Sequence, residues 1–124
     1  MRLLLDTHIL LWAILDDPHL GDSLRSKIGR AEAIFVSAAT VWEVAIKAGL
    51  GKLDVPDDLF DRALAAGAQP LQISWLHAKA VQGLPLHHAD PFDRMLIAQA
   101  SCENLSLVSI DAKFREYDIS LIDA

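Results

Sequence analysis

Five acids in this chain stand where their type and spacing could do chemistry. Asp6 ends the apolar run Leu3-Leu4-Leu5, and Asp111 ends the similar run "LSLVSI". Glu43 interrupts the apolar stretch "SAATVWEVAIKAGL", and Asp90 and Asp93 open the segment "DPFDR". Each has a structural explanation. Asp6 is a candidate helix N-cap. Thr40 and Glu43 have capping-box spacing, and Glu43 to Lys47 is a favourable i,i+4 pair. Asp90, Pro91 and Asp93 together make a well-formed helix start. Two acids three apart share a helix face, however, and converging carboxylates repel one another unless a cation compensates. If the five meet, they form an all-oxygen set suited to Mg²⁺ or Mn²⁺.

Whether they meet depends on the elements that carry them. The patterning predicts short strands over residues 2–5, 33–37, 70–74, 105–110 and 119–123. Between them it predicts helices over 9–15, 21–31, 38–48, 56–67, 75–82 and 90–104, with a loop over 83–90. Helix 38–48 is apolar around most of its circumference, so it is expected to be largely buried, with Thr40, Glu43 and Lys47 as its only polar stripe. Trp12, Trp42 and Trp75 read as core residues before interface anchors, with a dimer surface left open for some of them. Strands alternating with helices indicate parallel βαβ units and a three-layer α/β/α sandwich around a parallel sheet of four to five strands. No linker or internal repeat divides residues 1–124, so one domain is expected. In such a fold, strand ends and helix starts lie on one edge of the sheet, where ligands bind. Asp6, Asp90, Asp93, Asp111 and Glu43 are thereby expected to converge.

Bulk composition narrows the classes. At 124 residues, 52 % hydrophobic, the chain can bury roughly two-thirds of its unfolded surface. Its apolar stretches are far shorter than a membrane span, and its start has no basic region with a cleavage site. A lone Cys102 excludes an internal disulfide and suits a reducing cytosol, so a cytoplasmic protein without membrane association is expected. Net charge is −6, from 17 acids against 11 Lys and Arg. That balance argues against ordinary nucleic-acid binding, with metal nucleases the exception, because divalent cations neutralise their acids. His87 and His88 lack a second His or Cys cluster for tetrahedral zinc and read as loop residues flanking the site. There is no nucleophile elbow, phosphate-cradling glycine loop or Cys–His arrangement.

Four segments together, "LLLDTHILLW", "SAATVWEVAIKAGLGKL", "HHADPFDRMLIAQA" and "LSLVSIDAKFREY", resemble in order and spacing the PIN-domain proteins, most closely the VapC-type toxins of bacterial toxin–antitoxin pairs. The resemblance spans essentially the whole chain. It implies a Mg²⁺- or Mn²⁺-dependent endoribonuclease, neutralised by a small antitoxin in its active-site groove and assembling as a homodimer. The family's acids map onto Asp6, Glu43, Asp93 and Asp111, with Asp90 as a further acid of the DPFDR subgroup. His8 stands where the family often has Asn, and Ser109-Ile110 where it often has Thr-Asn or Thr-Arg. On this reading Asp6 with Asp90, Asp93 or both binds the first ion. Asp111 completes that site or helps a second, and Glu43 contacts metal or holds its water. Lys47, Arg94 and Lys113 are candidates for contacting RNA phosphates or shaping the site. Competing readings are a PIN-like binding scaffold without nuclease activity, a phosphoacceptor receiver domain and a haloacid-dehalogenase-type phosphatase. The last two want acids that Thr7 and His8 replace.

Overall fold

Leu3, Leu4 and Leu5 leave their strand no polar face, so both faces must be covered. In the structure, a computed structural model describing residues 1–123, these residues lie in the central strand β1 (Arg2–Leu5). It runs parallel to β2 (Ala33–Ser37) on one side and β4 (Ser106–Ser109) on the other, with Leu4 opposite Phe35 and Leu107. The edge strands β3 (Gln69–Leu71) and β5 (Leu121–Asp123) complete an all-parallel sheet of order β3-β2-β1-β4-β5. Side chains alternate across it. Leu3 and Leu5 pack with Ile9, Leu10 and Leu24 on one face, while Leu4 packs with Leu96, Ile97 and Phe114 on the other.

Six helices flank the strands: α1 (Thr7–Ile14), α2 (Asp22–Gly29), α3 (Ala38–Gly49), α4 (Leu59–Ala65), α5 (Trp75–Ala80) and α6 (Pro91–Glu103). Helices α1, α2 and α4 contribute to the first core, and α6 contributes to the second. This is the expected three-layer architecture, with five strands. No helix among the described residues is long and apolar enough to cross a membrane. The chain builds outward from β1 to β2 and β3, then crosses back to place β4 on the opposite side of β1. The switch point therefore falls between β1 and β4, where a crevice opens beyond the strands' carboxyl ends.

Three expectations need correction. Strand β3 is short and shifted, because Ser74 accepts from the His77 amide while His77 Nδ1 accepts from the Ser74 amide, a capping box that commits Ser74 to α5. Pro70 is tolerated since β3 is an edge. Helix α3 is not largely buried. It buries Ala39, Thr40, Glu43 and Val44 and exposes Val41, Trp42 and Ile46, with its C-cap Leu50 exposed as well. Its amphipathicity is inverted because it packs against both α1 and α6 with its polar stripe turned toward the crevice. Its N-cap is Ser37, so Thr40 caps nothing. Finally, Trp42 (60 % exposed) and Trp75 (90 %) are surface residues, whereas Trp12 packs on the first core.

Leu4 is fully buried, so Leu4→Ala is expected to cost about 2–5 kcal/mol of unfolding free energy in urea titration. A loss below about 1 kcal/mol would contradict burial of β1 on both faces.

Candidate metal centre

Three of the five acids are held by helix starts. Asp6 follows β1 and caps α1, its Oδ1 accepting from the Ile9 amide at 2.9 Å. Asp90 caps α6, its Oδ1 accepting from the amides of Phe92 (2.8 Å) and Asp93 (3.2 Å). Asp111 follows β4 and caps a short 3-10 turn (Ala112–Glu116), accepting from the Lys113 amide at 2.9 Å. The cap role and the site role are thus served by the same side chains. The positive ends of helices α1 and α6 also favour ionised carboxylates there.

Asp6, Glu43, Asp90, Asp93 and Asp111 all line one cleft of about 250 Å³, together with Thr7, His8, Lys47 and Ile110. A larger cleft of about 410 Å³ between α1, α2 and α4 is lined mainly by aliphatic side chains and holds none of the five. Glu43 is tied at both oxygens, accepting from Thr7 Oγ1 at 2.6 Å and from Lys47 Nζ at 2.7 Å. Ser109 links the two strand-end acids, its hydroxyl donating to Asp6 Oδ2 and accepting from the Asp111 amide. His88 Nε2 lies 2.9 Å from Asp93 and 3.1 Å from Asp111. One ligand atom each from His88, Asp93 and Asp111 lies within 4.8 Å of the others.

The electrostatics reflect the crowding of these acids. Burial, and then the neighbouring Asp90, push Asp93 up to about 7, with the nearby His88 opposing the shift. Burial also raises Asp6, against the opposing hydrogen bonds from Ser109 and Ile9. Its bond to Glu43 holds the Lys47 ammonium above the usual lysine range. Five carboxylates facing one lysine, one of them holding its proton toward neutrality, make an oxygen donor set that fits a hard divalent cation.

A PIN-domain family model matches residues 3–120. The chain belongs to the PIN-domain family. Solved structures similar to it include VapBC2 from Rickettsia felis bound to a DNA fragment from its promoter, with TM-score 0.72, 18 % identity, and 99 % of this chain and 98 % of that chain covered. FitAcB from Neisseria gonorrhoeae is similar with TM-score 0.66, 17 % identity, and coverage of 98 % and 96 %. A toxin–antitoxin complex from Klebsiella pneumoniae gives TM-score 0.61, 18 % identity, and coverage of 96 % and 94 %. No curated protein matches the chain.

In this PIN domain the cleft brings together all five acids singled out in the sequence. Two supporting residues were given no role there. Thr7 and Ser109 act through single hydroxyls, with no signal beyond their places beside Asp6 and Ile110. His88, expected to flank the site, does lie in the loop before α6, but it is buried and its ring meets Asp93 and Asp111. Two basic candidates, Arg94 and Lys113, do not line the cleft. Arg94 is buried and turned away, donating to the carbonyls of Pro85 (2.8 Å) and Val81 (3.1 Å). Lys113 is exposed and bonds Asp111 through its backbone amide. His8, exposed at the start of α1, lines the cleft and lowers the proton affinity of Asp6.

Asp93 binds its proton more tightly in the folded state than in the unfolded one. Its contribution to stability is therefore complete below about pH 4 and lost as pH rises through about 7. In divalent-free buffer, thermal unfolding of the wild type is expected to lose ground relative to Asp93→Asn between pH 4 and 8. Parallel melting curves for the two proteins across that range would contradict the shift.

Proposed function

We propose that this PIN domain, as a single 124-residue domain, is a divalent-metal-dependent endoribonuclease and the toxin of a toxin–antitoxin pair. The observation that carries the reading is the convergence of five carboxylates in one cleft, with Asp93 pushed up to about 7. Asp6, Asp90, Asp93 and Asp111 would hold Mg²⁺ or Mn²⁺. When bound, the cation supplies Lewis acidity toward the scissile phosphate and the attacking water. Asp6 and Asp111 are held rigidly at the ends of adjacent strands, so the cleft need not reorganise when substrate arrives. Glu43, fixed by Thr7 and Lys47, presents a carboxylate to the same space and can accept a hydrogen bond from a water there. Unneutralised, these acids repel a phosphodiester, so substrate binding and cation binding are coupled. Asp93 and Asp111 share His88, which favours Asp93 over Asp90 as the ligand nearer to Asp111.

Support for the toxin role comes from the fold's likeness to the VapBC2 and toxin–antitoxin structures. An acidic cleft also suits a basic antitoxin segment carrying an Arg that pairs with the carboxylates. Exposed Trp42, Leu50, Trp75 and Leu76 supply apolar surface for a homodimer. A cytoplasmic location suits an RNA substrate and the free thiol of Cys102.

With Mg²⁺ present, Asp6→Asn is expected to lower RNA cleavage by on the order of 10²-fold or more while the circular dichroism spectrum is unchanged. EDTA is expected to abolish wild-type cleavage. Cleavage by Asp6→Asn at the wild-type rate, or undiminished cleavage in EDTA, would overturn the mechanism. A wild type that binds RNA or antitoxin yet cuts nothing with Mg²⁺ or Mn²⁺ would establish a binding scaffold instead.

A further inference from the structure

We infer that His88 is a positioning residue of the metal centre, its Nε2–H donating to Asp111 with Asp93 Oδ2 2.9 Å from the same nitrogen, so that the ring fixes the spacing of those two carboxylates. The inference rests on the metal-dependent reading above. Proximity alone would allow His88 to be a third ligand, since its nitrogen and the two acids lie within 4.8 Å of one another. The hydrogen bonds point to a different role. His88 Nδ1 lies 3.2 Å from the backbone N–H of Asp90, a group that can only donate. Nδ1 must therefore present its lone pair, which places the ring proton on Nε2. Nε2 donates to Asp111 Oδ2 at 3.1 Å and lies 2.9 Å from Asp93 Oδ2. With this tautomer Nε2 has no lone pair for a metal, and the ring N–H stands between two acids that would otherwise repel directly.

The surroundings hold the ring in that attitude. His88 is 8 % exposed. Its amide donates to the Tyr117 hydroxyl at 2.9 Å, which in turn donates to the Pro85 carbonyl at 2.9 Å. The buried Arg94 guanidinium donates to the Pro85 carbonyl at 2.8 Å and to the His88 carbonyl at 3.4 Å. A buried cation bonded to backbone carbonyls is costly unless it organises something. Here it clamps the loop that delivers His88. A histidine with one nitrogen anchored to backbone and the other on metal-site carboxylates orients ligands without joining them.

The experiment uses the full chain and two variants, His88→Ala and His88→Gln. The glutamine amide restores an N–H at the reach of Nε2 but cannot titrate. In the metal-free wild type, ¹⁵N spectra of the histidine rings are expected to assign the Nε2–H tautomer to His88. Calorimetric titration with Mn²⁺ is expected to show affinity about 10–100-fold weaker in His88→Ala and largely recovered in His88→Gln. An Nδ1–H tautomer, wild-type Mn²⁺ affinity in His88→Ala, or no recovery in a His88→Gln protein that melts like wild type would each overturn the inference. So would a wild type that binds no Mn²⁺. If the wild type binds Mn²⁺ but cuts no RNA, the nuclease reading fails, while the tautomer and the affinities still decide the role of His88.

Discussion

Mutual repulsion among carboxylates is the constraint on which the rest of this structure depends. Two ionised oxygens as close as those of the Asp93–Asp111 group, within 4.8 Å, oppose each other by about 3 kcal/mol at an effective dielectric near 20. A helix N-terminus returns only about 0.3–1 kcal/mol to each acid it faces. Caps on Asp6, Asp90 and Asp111 therefore offset part of the repulsion and leave a remainder. That remainder is visible in Asp93, where burial and Asp90 hold the proton on up to about 7. A bound divalent cation would remove it and displace the proton.

The scaffold resists this repulsion by leaving the acids no room to move apart. Strand β1 is apolar on both faces, so its position is set by two cores at once. Asp6 follows it directly, donates its amide to the Val108 carbonyl of β4 at 3.1 Å, and is joined through the Ser109 hydroxyl to the same strand that delivers Asp111. Helix α3 then carries Glu43 to the crevice at the expense of exposing Trp42 and Leu50. A helix that buries its polar stripe while leaving Val41, Trp42 and Ile46 exposed is unfavourable for an isolated domain. It is explicable when the stripe lines a charged cleft and the outer face meets a partner.

Much of this was legible in the chain itself. Runs such as Leu3-Leu4-Leu5 and "LSLVSI" could only be buried strands, and an acid ending each pointed to the carboxyl edge of a parallel sheet. "DPFDR" carried the start of α6 in three residues. What escaped notice depends on side-chain direction, which periodicity does not encode. Arg94 and Asp93 are adjacent, yet one faces the loop carbonyls and the other the cleft. The orientation of α3 is set by its neighbours α1 and α6, not by its own pattern. Ser109 and His88 are ordinary in sequence because their importance lies in contacts 103 and 23 residues away.

Proton release on metal binding tests most directly whether the carboxylate cluster exists to hold a cation. Titration calorimetry with Mn²⁺ at pH 7, repeated in two buffers of different ionisation enthalpy, counts the protons displaced. Binding accompanied by net proton release, smaller at pH 8.5 than at pH 7, is the expected result, since Asp93 is then already ionised. Binding without proton release at pH 7, or no binding at all, would contradict a repulsive acid cluster relieved by a divalent ion.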